Sequence, residues 1–263
     1  MGQTTETTEQ PATEQKTGCY LYGIVPADVE VDPEAQGVAE ARIRTVRHGD
    51  LAALVSEITL DRPLGTPDDL RAHEQLLDAT AAEVPVLPIR FGAVLATCDA
   101  AVEELLAPYH DEFAAALREL EGRAQFAVKG RYAEETVLGE VLEENPAIER
   151  LREEIHGLPE DATRDQRIQL GELINTAVAA KREADTAALL EAVKTVVVMS
   201  SVREPSHELD AMNVALLVDT DREGELAQAV EELGRQWAGR VELRLLGPMA
   251  PYDFVVSGGQ GGG

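Results

Sequence analysis

The sequence predicts an α+β chain of two domains. These are an N-terminal mixed α+β domain at 18–121 and a C-terminal ferredoxin-like βαββαβ domain at 122–256, with a long helical crossover at about 133–194. Three observations predict this. Apolar periodicity switches repeatedly between 2 and 3.6 along the chain. The second half reads in the order β-α-β-β-α-β, the split βαβ arrangement. The composition has 37 alanines against 10 aromatics in 263 residues, which favours cores of Ala, Leu and Val packed by helices.

Taken in order, residues 1–17 are Thr, Glu and Gln around one proline, too polar to bury anything, and are expected to be disordered. Cys19–Val25 reads as a strand ended by Pro26. Ala41–Arg47 and Leu51–Ile58 read as a hairpin around His48-Gly49-Asp50. Thr66-Pro67-Asp68-Asp69 is a helix start, with a Thr cap, a first-turn proline and two acids at the positive dipole end. That helix runs to about Ala82, with Leu70, His73 and Leu77 on one face. Val84–Leu95 is extended. A second helix starts near Thr97, and Pro108 should kink or break it.

Arg123–Tyr132 is the first strand of the second domain, followed by helix at 133–194 broken near Gly157-Leu158-Pro159. Lys194–Val202 and Ala211–Val218 are strands. Thr220-Asp-Arg-Glu223 has the form of a capping box opening a helix with Leu226, Val230, Leu233 and Trp237 inward; Gly239 closes it. Val241–Leu246 is the last strand, and 257–263 is a flexible glycine-rich tail.

Charge narrows the partners. Lys+Arg 23 against Asp+Glu 49 gives −26, which repels phosphate backbones and anionic lipid, so neither nucleic acid nor membrane is expected. No apolar run approaches the roughly 18 residues that span a bilayer. The N-terminus lacks the basic and apolar regions of a secretory signal. Cys19 and Cys98 form neither a metal spacing nor a disulfide framework, so a reducing, cytoplasmic setting is expected.

The residues with chemical potential do not assemble into a site. His73-Glu74 opens like a zinc-protease helix motif, but Leu77 stands where the second histidine belongs, so His73 reads as a core-facing helix residue. No nucleophile elbow, phosphate loop or dinucleotide fingerprint is present. Residues 134–160 hold nine Glu against two Arg, the composition of a solvated helical face. No enzyme activity, cofactor or metal is expected.

Two segments stand out instead. Val86-Leu-Pro-Ile-Arg-Phe-Gly-Ala93 and Leu246-Gly-Pro-Met-Ala-Pro-Tyr-Asp-Phe254 concentrate proline, glycine and aromatics in an aromatic-poor chain. They read either as strand ends packing an interdomain seam or as rigid backbone presenting anchors to a partner. On the second reading the candidate partner-binding residues are Pro88, Arg90, Phe91, Gly247, Pro248, Pro251, Tyr252 and Phe254.

These segments also carry a resemblance. Tyr20–Val25, Leu51–Glu57, the His73 helix, Val86–Gly92, Met212–Val218 and Leu246–Val255 follow one another in the order seen in the gas vesicle protein F/L family, over about 18–256. The P-[IL]-R-F-G and G-P-x-x-P-Y-x-F segments are the most specific parts. Met249-Ala250 replaces the family's usual aromatic and proline, and 133–190 is divergent. The resemblance implies a non-enzymatic accessory protein of gas vesicle assembly, located at the vesicle and in the cytoplasm. Its implied partners are the hydrophobic shell protein, whose aggregation it would limit during nucleation, and other vesicle accessory proteins. The competing class, a ferredoxin-like regulatory or small-ligand module, predicts a concave apolar pocket with convergent polar groups.

Overall fold

The computed structural model describes residues 16–255, a mixed α+β chain with two antiparallel sheets. The chain partitions into two compact units, one of residues up to 77 together with 86–117, the other of 78–85 and the chain from 118 onward. The tails expected to be disordered lie outside the described residues, except Lys16 and Thr17. Those two are placed: Leu60 N–H donates to Lys16 O at 2.7 Å, and Thr17 pairs with Thr59.

The first unit is organised by β1 (Thr17–Pro26), buried over nearly its whole length because strands pair on both of its sides. β2 (Arg44–His48) and β3 (Leu51–Thr59) form the expected hairpin. Its turn is shorter than the sequence suggests: His48 pairs with Leu51, leaving Gly49, at φ +60°, and Asp50 as the loop. α1 (Pro67–Ala81) starts where the Thr cap places it. Asp69 N–H donates to Thr66 Oγ1 at 3.2 Å while the Asp69 carboxylate accepts Thr66 N–H at 3.1 Å, a reciprocal capping box with Asp at its third position. His73 and Leu77 are buried; Leu70, on the same face, is exposed.

Two short strands follow, β4 (Leu87–Pro88) and β5 (Val94–Leu95), both paired with β1, giving the order β2-β3-β1-β4 with β5 beside β1. Pro108 interrupts the next helix as expected. A π-helical turn at Ala101–Leu106 precedes it, and α2 (His110–Leu120) restarts beyond it.

The cysteine expectation is corrected. Cys19 and Cys98 form a disulfide, with Cα atoms 5.1 Å apart and a sequence separation of 79. Cys19 pairs with Leu95 across β1 and β5, and that pairing carries the 96–98 turn alongside β1. Spacing in the sequence cannot register a pairing made by strand alignment.

The sheet of the second unit starts with β6 (Arg123–Tyr132), the range the sequence predicts. The helical crossover is more divided than expected: α3 (Glu134–Glu144), α4 (Pro146–Ile155) and α5 (Arg164–Val193). The unforeseen break falls at Asn145-Pro146, where the missing proline N–H favours a new first turn. β7 (Val197–Val202), β8 (Asp210–Asp219), α6 (Glu223–Gln236) and β9 (Val241–Met249) complete the unit in the sheet order β7-β8-β6-β9. Phe126, Val128, Met212, Val214, Leu216 and Val218 share one core with Val137, Val141, Leu189, Val193, Leu226 and Val230.

Two expectations fail near α6. The Thr220 capping box does not form. Thr220 lies in a 3-10 turn and its hydroxyl donates to Gly122 O at 3.1 Å, while Arg222 grips Glu225 and the helix begins at Glu223. Trp237 is not within the helix but follows its last turn, half-buried against the core.

Candidate partner-binding segments

The segment Pro88–Gly92 is held by a buried polar network from β1 and α1. Pro88 pairs with Gly23, where a Cβ would lie 2.9 Å from Leu87 O, so only glycine allows the strands this approach. Ile89 N–H donates to Tyr22 O at 2.8 Å. The Tyr20 hydroxyl lies 3.0 Å from His73 Nδ1 and accepts Gly92 N–H at 3.0 Å. His73 Nε2 lies 3.1 Å from Ile89 O. A carbonyl only accepts, so Nε2 carries the proton, Nδ1 is the acceptor, and Tyr20 is its donor.

This polarity suits two neutral groups. Burial pushes the Tyr20 phenol up to about 12 and holds the His73 imidazole below its ordinary value. Tyr22 anchors the other side: Val38 N–H donates to its hydroxyl at 2.9 Å, which donates to Ser56 Oγ at 3.0 Å. Asp69, in the first turn of α1, takes both Arg62 terminal nitrogens at 2.7 Å, and that pairing holds its carboxyl well below the usual carboxylate range.

Within the segment, Pro88 is buried, Arg90 is exposed and Phe91 is half-buried. The Phe91 ring meets His73 edge-on at 5.5 Å and Tyr20 at 5.9 Å.

The segment Gly247–Phe254 belongs to the second unit. Gly247 sits at φ +131°, and a Cβ there would approach Phe126 Cδ1 to 2.7 Å, so the position requires glycine. The Gly247–Pro248 peptide is cis. Ala250 N–H donates to Asp78 Oδ1 at 2.8 Å, and burial raises that carboxyl.

Asp253 is the main tether. Arg203 donates to both of its oxygens, Nε at 2.8 Å, and Gln125 Nε2 donates to Oδ2 at 2.8 Å. Asp253 N–H returns to Gln125 Oε1 at 3.1 Å. The Arg203 guanidinium holds the Asp253 carboxyl below its ordinary value. Gly247, Pro248 and Tyr252 are exposed, Phe254 is half-buried and Pro251 is buried.

The eight candidates thus fall into two groups in separate units, each tied down by residues not among the candidates: Tyr20 and His73 for one, Gln125, Arg203 and Asp253 for the other. Asp253 lies inside a motif already singled out, so its charge beside Tyr252 and Phe254 was the available signal. Nothing in the sequence points to Gln125 or Arg203.

One open groove of 860 Å³ runs between α6 and β9, floored by Val230, Val241 and Leu245. Arg240, one of its lining residues, is already engaged: it donates to both Asp185 oxygens at 2.9 Å and to Glu140 at 2.8 Å, while Lys181 reaches Glu140 and Glu144. Among the described residues no cluster of three or more His, Cys, Asp or Glu could hold a metal, and no helix is long and apolar enough to cross a membrane.

The family model described as gas vesicle synthesis protein GvpL/GvpF matches residues 18–256. Gas vesicle protein F of Streptomyces sp. (strain CB03234) is 33% identical over 242 residues, covering 90% of this chain and 98% of that one. Gas vesicle protein F of Dolichospermum flosaquae is 24% identical over 238 residues, with 90% and 96% covered. The crystal structure of GvpF from Anabaena sp. PCC7120 shares the fold at a TM-score of 0.75 and 24% identity, covering 90% of this chain and 98% of its own. The GvpF crystal structure from Microcystis aeruginosa matches it equally, at a TM-score of 0.75. With a family match spanning nearly every described residue, the chain belongs to the GvpL/GvpF family of gas vesicle synthesis proteins.

Proposed function

We propose that this chain is a non-enzymatic accessory protein of gas vesicle assembly, a minor vesicle-associated component that binds the hydrophobic shell protein and limits its aggregation during nucleation. The observation that carries the reading is the pair of tethered segments. Each keeps exposed or half-exposed groups, Arg90 and Phe91 in one, Pro248, Tyr252 and Phe254 in the other, on backbone fixed by part-buried hydrogen bonds. Pre-organised aromatic groups lose little conformational entropy on binding, which suits anchors. The −26 charge keeps a complex with an apolar client in solution and argues against nucleic acid or membrane as partner. Other vesicle accessory proteins are further partners in this reading.

The second unit reads as a ferredoxin-like domain in this proposal, supported by its strand order β9-β6-β8-β7, first beside last and third, in a wholly antiparallel sheet. The test is co-expression with the shell protein. The expected result is co-purification and a larger soluble fraction of shell protein. Equal aggregation with and without this chain, and no co-purification, would overturn the proposal.

A further inference from the structure

The two sulfurs of the Cys19–Cys98 bridge differ in access. Cys19 is 1% exposed within β1, whereas Cys98 is half-buried in the turn that follows β5. A 440 Å³ groove opens on that turn, lined by both cysteines together with Arg44, Glu57 and Asp99. Arg44 Nη2 donates to Cys98 Sγ at 3.4 Å and to Glu57 Oε2 at 2.9 Å. A thiol entering from solvent therefore reaches the Cys98 sulfur first and meets a guanidinium there. Bridges sealed in a core act as staples, while those open to solvent exchange with thiolates, which a neighbouring cation attracts.

The bridge also closes one end of the Pro88–Gly92 segment. From Pro88 to Leu95 the chain runs antiparallel to β1, with Pro88 opposite Gly23 and Leu95 opposite Cys19. Ile89 N–H and the Tyr20–His73 pair hold the first half of this stretch. The second half has the bond from Leu21 N–H to Ala93 O at 2.9 Å, the two residues of β5, and the disulfide. Leu87 before the stretch and Ala101 after it are buried in the core, 2% and 0% exposed.

We propose that Cys98 is a thiol–disulfide exchange site for a dithiol, and that exchange there sets the order of the Pro88–Leu95 stretch and with it the capture of the hydrophobic partner. A thiolate of the dithiol attacks Cys98 Sγ. The Cys19–Cys98 bond breaks as the mixed disulfide forms, and Cys19 leaves as a thiolate that takes up a proton. The second thiolate of the reagent then displaces Cys98, which is protonated in turn. Two electrons pass from the dithiol, which ends as its own disulfide, and the two protons it gives up end on Cys19 and Cys98. With the bridge open, β5 loses its covalent tie to β1, and the seat of Phe91 against Tyr20 and His73 loosens. Leu87 and Ala101 stay anchored, so the opening is local. The effect on capture rests on the proposed function; the exchange chemistry does not.

The experiment uses the full chain in its oxidised form, without denaturant, with glutathione as the monothiol probe and dithiothreitol as the dithiol. Peptide mass spectrometry is expected to find the glutathione mixed disulfide on Cys98. Under dithiothreitol the bridge should open while the protein stays folded. Amide hydrogen exchange at Leu21 and Gly92 should then quicken about tenfold or more, with Ala53 in β3 unchanged. Cys98→Ser should show the same fast exchange with or without the dithiol. A bridge that opens only in denaturant, a mixed disulfide on Cys19, or unchanged exchange at Leu21 and Gly92 after reduction overturns the inference. Equal quickening at Ala53 marks global loosening and overturns it as well. Co-purification of the hydrophobic shell protein should fall about threefold or more on reduction and in Cys98→Ser. Equal capture by the oxidised and reduced forms overturns the regulatory role. No capture by either form overturns the proposed function and leaves the exchange site standing.

Discussion

The Tyr20 hydroxyl donates to His73 Nδ1 across 3.0 Å while accepting Gly92 N–H, so one phenol joins β1, α1 and the Pro88–Gly92 loop. Removing it leaves a ring nitrogen and a backbone N–H without partners in a buried site. Tyr20→Phe is therefore expected to cost about 1–3 kcal/mol, the penalty for stranding buried polar groups. A denaturant midpoint equal to that of the wild type would show that water replaces the hydroxyl.

The same network fixes a pH dependence. Burial lowers the His73 pKa from its ordinary 6.5, so the unfolded chain takes up the proton first as pH falls. The unfolded state then binds more protons, and linkage makes stability fall. His73's contribution is thus fully present above about pH 6.5 and is lost progressively below it. In His73→Gln the melting temperature should depend less on pH between about 6.5 and 5 than in the wild type. Parallel profiles for the two proteins would remove His73 from the account.

What was legible in the sequence follows from what is local. β6 falls on the expected residues because Ala124, Phe126, Val128 and Tyr132 lie at even spacing on one core-facing side, and α1 announces itself through Thr66, Pro67 and two acids. The Thr220 box has the same chemistry but does not form, because Gly122 O and Glu225 claim the hydroxyl and Arg222. Local motifs compete with tertiary partners that no spacing reveals. For the same reason both candidate segments are visible as proline–aromatic clusters, while Gln125 and Arg203, 78 residues apart in number and joined only through Asp253, are not.

The disulfide between Cys19 and Cys98 closes a loop with a sequence separation of 79 residues, long enough for a large loss of unfolded-state entropy. Reduction, or Cys98→Ser, should lower stability by about 2–4 kcal/mol. Denaturation curves of the protein with and without a dithiol reductant provide the check. Superimposed curves would mean that the bridge does not constrain the chain.

Asp253 should matter more than its exposed neighbours. Asp253→Ala removes the partner of a half-buried Arg203 and strands the Nε2 end of the wholly buried Gln125 amide, whose Oε1 keeps the backbone N–H of residue 253. A loss of about 1–3 kcal/mol is expected, together with faster proteolysis around 250–255 as the segment detaches. Unchanged proteolysis would show that Ala250 and its bond to Asp78 suffice to hold the segment.

Trp237 calls for a smaller effect than its place on the Leu226–Val230–Leu233 stripe suggests. It lies beyond the last turn of α6 and only half-buried, so Trp237→Ala should cost about 2 kcal/mol, below the ~3–5 of a fully buried aromatic. Its emission should be intermediate and partly quenchable by iodide. A fully blue-shifted, unquenchable signal would contradict that placement.

The candidate anchors should separate by burial. Phe91 packs against His73 and Tyr20, so Phe91→Ala removes ring contacts inside the first unit and should lower both stability and capture of shell protein. Tyr252 is 39% exposed, and Tyr252→Ala should leave melting nearly unchanged while weakening capture by about 1–2 kcal/mol if its ring meets the partner. Phe254, half-buried, should fall between them. Measuring melting and capture on the same three variants distinguishes an anchor from a core residue: loss of capture at constant stability marks an anchor, and loss of capture in proportion to folded protein marks packing. If Tyr252→Ala and Phe254→Ala both stay folded and capture fully, the Gly247–Phe254 segment has no place in the contact. Its proline–aromatic chemistry would then serve the fold alone, through Asp253.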